Sequence, residues 1–178
     1  AGLRKRNILL RVKNTFEPEH RGTEIRSDYS SKTPKVEIIA GTRSVWAMEL
    51  FDQDMVGDPS YGQKMNDLVF ESGVRVLTKD FNANTVTFYL KGNKRRINWL
   101  MDRLQANYTN ADIRVEKMAM VSAIGSDMKV PGLLKSAASA LSDAGVNILS
   151  VHQAMRQVDM MFIVADQDYA AAVKALHT

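Results

Sequence analysis

The residues best placed to do chemistry lie in two similar loops, each leading from an apolar run into the start of a helical pattern. The first reads Asp54-Met55-Val56-Gly57-Asp58-Pro59 and the second reads Asp127-Met128-Lys129-Val130-Pro131-Gly132. Free backbone N–H groups at a helix start attract a carboxylate, and glycines let a ligand approach the main chain closely. The loops therefore predict anion binding, although a plain strand–helix connection uses the same turn residues.

No catalytic constellation accompanies these loops. The sequence contains no GxxxxGK[ST], GxGxxG or HExxH motif, and its histidines, His20, His152 and His177, are too scattered for a metal site. The aspartates of the first loop lack the spacing of a calcium-binding EF-hand. The absence of Cys excludes disulfides, thiolate metal sites and a cysteine nucleophile. We therefore predict no catalytic residue, no metal site and no cofactor in this chain.

Composition places the chain among ordinary globular proteins. It has 178 residues, 45% hydrophobic and 25% charged, with 24 Lys+Arg against 20 Asp+Glu, which excludes a collagen or a disordered tail. The basic surplus is typical of nucleic-acid binders, but Lys94, Arg95 and Arg96 fit a solvated helix face. No apolar run approaches the ~20 residues that a bilayer requires, and no signal-peptide core is present. We expect a cytoplasmic protein, and the missing initiator Met suggests a processed or excised chain.

Internal repetition organises the sequence. Asp54 and Asp127 lie 73 positions apart, Gly73 and Gly145 lie 72 apart, and Phe88 and Phe162, each within an alternating apolar run, lie 74 apart. A nearly constant offset at three landmarks indicates two copies of one small domain.

The periodicities within each copy predict the order β-α-β-β-α-β. Short apolar runs such as Val45–Phe51 and Met118–Ile124 predict strands, and the Gly73 and Gly145 positions suit helix ends. Asp166 is expected to cap the last helix. Because the chain ends without a fourth strand for the second copy, the run 36–40 is a candidate to complete it. We predict an α+β fold of two interlocked ferredoxin-like domains, each an antiparallel sheet with two helices on one face.

The first part of the chain fits neither copy. Asn7–Val12 predicts a strand, Phe16–Thr23 a structured loop and Ser27–Lys32 a polar linker. We interpret residues 1–33 as the end of another domain, residues 34–117 as the first copy and residues 118–178 as the second.

At this point the residues resemble a known family. The stretch Val121–Met128, together with Pro131-Gly132 and Ala144–Ile148, is similar to the second ACT domain of aspartate kinases. The turn His152–Val158 is similar to that family's Ser-Gln-Ser turn. Upstream, Arg11–Pro18 resembles the segment that closes the kinase domain, and residues 1–33 would be its remnant.

The resemblance implies the regulatory portion of an aspartate kinase. Such enzymes transfer the ATP γ-phosphoryl group to the aspartate side chain, in the first step toward lysine, threonine and methionine. The family's Lys-Phe-Gly-Gly motif is missing here, so ATP and Mg²⁺ are implied only for an absent kinase domain, and this fragment should be inactive alone. In the family, paired ACT domains bind end-product amino acids and shift the kinase between active and inhibited states.

The family's effector-binding positions map onto particular residues of this sequence. Met55, Gly57 and Asp58 would form the first part of the pocket, and Asn147 and Ile148 would complete it. The second loop would contribute Met128 and Gly132. The resemblance also implies lysine or threonine as the effector, and a homodimer or higher oligomer, with no nucleic acid and no membrane as partners.

The sequence departs from the family in the first copy. Ser60-Tyr61 replaces a Gly and a small residue, Arg75 stands where the second copy has Asn147, and Thr78-Lys79-Asp80 replaces the usual Ser-Gln turn. These departures predict atypical feedback sensitivity. Two other hypotheses stay open: a tandem RNA-binding module of the same β-α-β-β-α-β order, and a dimerisation module without a ligand.

Overall fold

The computed structural model describes residues 6, 8–26, 35–58 and 60–177. The predicted linker and Pro59 of the first loop lie outside them. The elements, numbered in chain order, are β1 (Leu10–Val12), β2 (Thr23–Ile25), β3 (Ile38–Phe51), α1 (Tyr61–Glu71), β4 (Arg75–Phe81), β5 (Thr85–Lys91), α2 (Lys94–Asn107), β6 (Asp112–Ile124), α3 (Leu133–Asp143), β7 (Ile148–Gln153), β8 (Asp159–Ala165) and α4 (Tyr169–His177).

Two long antiparallel strands, β3 and β6, run through the centre of a six-stranded sheet ordered β4-β5-β3-β6-β8-β7. The later part of β3 belongs to the first β-α-β-β-α-β unit, and residues 38–42 of the same strand pair with residues 120–124 of β6 in the second unit. Each long strand therefore serves both units, and the predicted interlocked ferredoxin-like fold is confirmed. The domain boundaries stay a prediction; the one between residues 117 and 118 falls inside β6.

A β-bulge marks the point where β3 passes from one unit to the other. Arg43 and Ser44 together oppose the single residue Ala119, and Ser44 has a φ of 54°. The Ser44 N–H donates to Asp166 Oδ1 at 2.6 Å, and the Lys91 ammonium donates to the Arg43 carbonyl. The bulge is thus held by one residue from each unit.

This contact corrects one expectation from the sequence. Asp166 was expected to cap the last helix, but it lies in a 3₁₀ turn, Asp166–Asp168, that precedes α4. Its carboxylate accepts from the Ser44 backbone and lies 3.7 Å from the Arg43 guanidinium. The tertiary contact prevails because Ser44 presents an N–H that the bulge has removed from the strand ladder.

Each unit has its own apolar core between its helices and the sheet. In the first core, Met48 and Leu90 from the sheet pack against Leu100 of α2. In the second, Val121 and Phe162 pack against Leu141 of α3. The side chains of the strands alternate between the two faces of the sheet, and the four α-helices of the described residues lie on one face.

A third apolar cluster lies on the helix-free face. It contains Val45, Ala47, Tyr89, Met120 and Ile163, each no more than 6% exposed. These residues come from both units, and several occupy equivalent repeat positions: Ala47 and Met120 lie 73 positions apart, and Tyr89 and Ile163 lie 74 apart. The helix-free surfaces of the two units therefore bury each other.

The sheet coils until its edge strands β4 and β7 touch across this face. The Ser150 hydroxyl donates to Asp80 Oδ2 at 2.9 Å, and the rings of Tyr89 and His152 meet edge to face at 5.8 Å. Both edge strands carry a bulge at the same repeat position, at Leu77 and at Leu149. Such bulges increase local twist, which helps to bring the two edges together.

Strands β1 and β2 form a separate antiparallel pair. The Glu24 carboxylate binds the guanidinium groups of Arg11 and Arg26, and the hydrogen bond from Arg11 holds the pKa of Glu24 below its ordinary value. The apolar side chains of this pair, including Leu10, Val12 and Ile25, are exposed.

Candidate functional site

The first loop forms an exposed depression beyond the end of β3. A 3₁₀ turn over Gln53–Met55 anchors it, because the Met55 side chain is only 3% exposed within the first core. Gly57 follows with a φ of 84°, a conformation that favours glycine. The depression encloses about 340 Å³ and is bordered by residues of the loop and of the β4–β5 hairpin, namely Met55, Val56, Gly57, Asp58, Phe81 and Ala83.

Asp58 contributes a carboxylate to this depression. One of its oxygens, Oδ1, accepts from the Ser60 N–H at 2.8 Å and from the Ser60 hydroxyl at 2.7 Å. The Ser60 side-chain bond, followed by the backbone bond, lowers the pKa of Asp58. Asp58 is therefore ionised at neutral pH, and its second oxygen is left to attract a cation.

A buried polar network fixes the base of the loop. The Tyr61 hydroxyl donates to Asp52, whose other oxygen accepts from the Asp54 N–H at 2.9 Å. Tyr108 stacks on Tyr61 with 4.7 Å between ring centroids and donates to the Tyr61 carbonyl at 3.0 Å. Burial, followed by the bond to Asp52, raises the pKa of Tyr61. Tyr61, which departs from the family pattern, thus has a structural role under the loop.

The second loop is built differently. Met128 is 1% exposed and belongs to the second core, so its side chain is closed to a ligand. Gly132, with a φ of 91°, precedes α3, and its carbonyl accepts from the Ser136 N–H at 2.9 Å. Asn147 is exposed, and the half-buried Ile148 begins β7.

The structure therefore brings together only part of the predicted site. Met55, Gly57 and Asp58 share one depression, whereas Asn147, Ile148, Met128 and Gly132 do not border it. Within one chain, Phe81 and Ala83 complete the depression instead. The sequence signal for them was the Asn82-Ala83-Asn84 turn, which indicated a hairpin but not what the hairpin would approach. The effector role of all seven residues stays a prediction.

A second cleft, which the sequence did not predict, lies on the helix-free face. It encloses about 260 Å³ between β3, β5 and β6 of the first unit and Leu149 of β7. Its charged residues are Glu49, Arg114 and Glu116. In sequence they alternate with apolar residues, so they resemble the solvent face of ordinary strands.

Two further features of the described chain bear on function. Among its helices, none combines the length and apolar character required to cross a bilayer. No group of three or more His, Cys, Asp or Glu side chains in these residues is arranged to hold a metal ion.

Comparison with known proteins shows what this chain is similar to. Residues 121–178 match the family model described as an ACT domain. The aspartate kinase Ask_Ect of Stutzerimonas stutzeri is 45% identical over 175 residues, which cover 98% of this chain and 37% of the relative. The chain thus spans little more than a third of that relative's length.

Solved structures show the same fold. The aspartate kinase of Clostridium acetobutylicum superposes with a TM-score of 0.90 at 19% identity, covering 98% of this chain and 42% of that one. E. coli aspartokinase III, in complex with lysine and aspartate, gives 0.79 at 19% identity, covering 98% and 39%. The regulatory subunit of the Thermus flavus aspartate kinase gives 0.69 at 18% identity, covering 80% of this chain and 96% of that one.

The family match shows an ACT domain at residues 121–178, and the solved structures show that the chain has the fold of aspartate kinase regulatory domains. More particularly, the chain is similar over 98% of its length to an aspartate kinase and over 80% to the regulatory subunit of another, which confirms the resemblance to the regulatory portion of aspartate kinases.

Proposed function

We propose that this chain senses an end-product amino acid for an aspartate kinase of which it is a part. The observation that carries the proposal is the first-loop depression, which combines a backbone donor, an ionised carboxylate and apolar walls. It occurs in a chain whose relatives are aspartate kinases.

An amino acid fits these groups by its charges. Among the described residues, none accepts a hydrogen bond from the Gly57 N–H, so this donor is available to the ligand's carboxylate. The ligand's ammonium group would face the free oxygen of Asp58, and its side chain would contact Phe81. Exposed backbone donors and a few placed polar groups are typical of small-molecule sites.

Lysine or threonine is the proposed effector. The structure of E. coli aspartokinase III contains lysine and aspartate, which supports an amino acid as the ligand class. The proposed pocket uses the first loop of one chain with Asn147 and Ile148 of a second, because these two parts do not meet in one chain.

A homodimer is therefore part of the proposal. Strands β4 and β7 are the two edge strands of the sheet, and sheet edges favour pairing with another chain. Val56 and Phe81, which are 61% and 63% exposed, extend the apolar rim of the first depression. A second copy placed there would bury this rim and enclose the ligand.

The parent protein would phosphorylate aspartate with ATP and Mg²⁺, and effector binding here would shift its activity. The ATP and Mg²⁺ sites would lie in the catalytic part of the parent. This chain alone should form no ADP when incubated with ATP, Mg²⁺ and aspartate.

Calorimetry tests the effector site directly. Lysine and threonine are titrated separately into the chain and into Asp58→Asn, with Glu71→Gln as the matched control on the exposed end of α1. We expect one of the two to bind, Asp58→Asn to weaken binding at least tenfold, and the control to bind as the wild type does. Ligand at ~100 times Kd should also stabilise the fold by roughly 2.7 kcal/mol.

The control outcomes separate the hypotheses. If neither amino acid binds while sedimentation shows a dimer, the chain is a dimerisation module without a ligand.

RNA binding is disfavoured because its aromatic platform would lie on the helix-free face, where Tyr89 is only 4% exposed and Ile163 is fully buried.

A further inference from the structure

We propose that the cleft on the helix-free face is a second binding site, for a small α-amino acid, separate from the first-loop depression. Its floor and walls come from both units of the fold, since Leu149 belongs to β7 and the other lining residues belong to β3, β5 and β6. The proposal does not depend on the first loop binding a ligand.

The register of the sheet places complementary groups side by side. Thr87 on β5, Glu49 on β3 and Arg114 on β6 lie directly opposite one another in adjacent strands. Glu116 lies on the same face of β6, two residues after Arg114, and is paired with Ala47 of β3. Neighbouring strands are about 4.8 Å apart, so one small molecule can contact all of these residues.

The cleft carries more negative than positive charge, with two glutamates and one arginine. Within the described part of the chain, no hydrogen bond or ion pair forms with the carboxylates of Glu49 and Glu116. The Arg114 guanidinium binds Oδ2 of the exposed Asp112 at 2.8 Å and 3.1 Å. Like charges on diagonal neighbours repel, and Glu49 is partly withdrawn from water. A cation between the two glutamates would reduce their mutual repulsion and would compensate the partial burial of the Glu49 charge.

An α-amino acid supplies that cation together with a group for the arginine. Its ammonium would lie between Glu49 and Glu116, and its carboxylate would compete with the exposed Asp112 for Arg114. Met118 and Leu149 offer apolar contact for the side chain. The cleft volume, about 260 Å³, lies below the roughly 300–1,000 Å³ typical of drug-sized ligands, which suits a small metabolite.

Binding here would join the two units of the fold. The ligand would contact three strands of the first unit and Leu149 of the second, close to the contact between Asp80 and His152. It would therefore favour the arrangement in which the two helix-free surfaces are closed on each other.

Nuclear magnetic resonance titration tests the site. The probes are L-lysine and L-threonine, each with its Nα-acetyl form, and the signals followed are the Thr87 and Leu149 methyl groups. We expect at least one free amino acid to shift both signals and its acetylated form, which lacks the α-ammonium, to bind at least tenfold more weakly. Glu49→Gln and Glu116→Gln should each weaken binding at least tenfold, and Glu71→Gln should not.

Further measurements distinguish ligand binding at this cleft from binding at the first loop and from self-association of the chain. Asp58→Asn, on the first loop, should leave the Thr87 and Leu149 shifts intact; losing them would overturn a separate site. Signals unmoved by all four probes, or unaltered affinity in both glutamate variants, would also overturn it. A dependence of these signals on protein concentration instead of ligand concentration would also overturn the proposal, because a second copy of the chain would then fill the cleft.

In the absence of ligand, Glu49→Gln should raise the melting temperature, because it removes the repulsion with Glu116. A lowered melting temperature would contradict the charge argument.

Discussion

The Nδ1 atom of His152 lies 3.3 Å from the Oδ1 atom of Asp80, although the two residues belong to opposite edge strands of the sheet. They also occupy equivalent positions of the two repeats, 72 residues apart. Equivalent positions of a duplicated domain therefore meet across the helix-free face. The duplication inferred from sequence offsets has a physical counterpart in this contact.

A double-mutant cycle measures how far this contact couples the two edges. We expect Asp80→Ala and His152→Ala to be non-additive, with an interaction free energy of about 0.5–1 kcal/mol, because both side chains are partly exposed. Urea unfolding of the wild type, both single variants and the double variant gives this value.

The control is a second cycle that combines Asp80→Ala with Glu71→Ala, on the exposed end of α1. That pair should be additive. Additive free energies for Asp80 and His152 would mean that the contact does not stabilise the closed sheet.

The buried Tyr89 should make the fold less stable at alkaline pH. Burial raises its pKa to about 12, and the Asp80 carboxylate, which accepts from its hydroxyl at 3.0 Å, adds to the effect. An unfolded tyrosine ionises near pH 10. The contribution of Tyr89 to the free energy of unfolding is therefore complete below pH 10 and is lost as the pH rises toward 12. The loss from this group is on the order of 2 kcal/mol.

Urea unfolding between pH 9 and 11.5 checks the sign. Tyr89→Phe should be less stable at neutral pH but should show a shallower decline of stability at alkaline pH than the wild type. Parallel slopes for the wild type and Tyr89→Phe would contradict the assignment.

Two glycine-to-alanine substitutions should have opposite effects. A Cβ at Gly41 would lie 2.6 Å from the Tyr169 ring and 3.1 Å from the Met120 carbonyl, whereas nothing lies within 4 Å of a Cβ at Gly62 in α1. Gly41→Ala should cost about 1–3 kcal/mol through overpacking. Gly62→Ala should stabilise by up to ~1 kcal/mol because alanine favours the helix. Thermal unfolding of both variants compares them, and shifts of the same sign would refute the close approach at Gly41.

The hydroxyl of Tyr61 should be important for the first loop. Tyr61→Phe leaves one oxygen of Asp52, a residue only 6% exposed, without its donor, at a cost of about 1–3 kcal/mol. Hydrogen exchange at Gln53–Asp58 should accelerate in the same variant.

Tyr108→Phe is the matched control, because its hydroxyl donates to a neutral carbonyl instead of a carboxylate. It should destabilise less than Tyr61→Phe and leave exchange in the loop closer to that of the wild type. The reverse order of effects would show that Asp52 does not depend on Tyr61.

The sequence predicted the architecture well because its signals are local or repeated. Helical spacing in α2, alternation in β5, and the paired glycines Gly73 and Gly145 each reflect the chain's own geometry. The repeat offset, together with the extra strand-like run at 36–40, then predicted the interlocking. The sequence predicted separate runs at 36–40 and Val45–Phe51, whereas β3 is continuous from Ile38 to Phe51 and β6 from Asp112 to Ile124, since apolar runs mark only the buried parts of a strand.

What the sequence determined by itself is the pair of repeated β-α-β-β-α-β units and the loop that carries Met55, Gly57 and Asp58. The tertiary structure alone decided that Asp166 binds Ser44, that Phe81 borders the first loop, and that Glu49 and Arg114 face a cleft beside Leu149. The physical reason is that these outcomes depend on how strongly the whole sheet coils. Coiling arises from bulges and from apolar contacts between residues more than 70 positions apart, and no local periodicity encodes it.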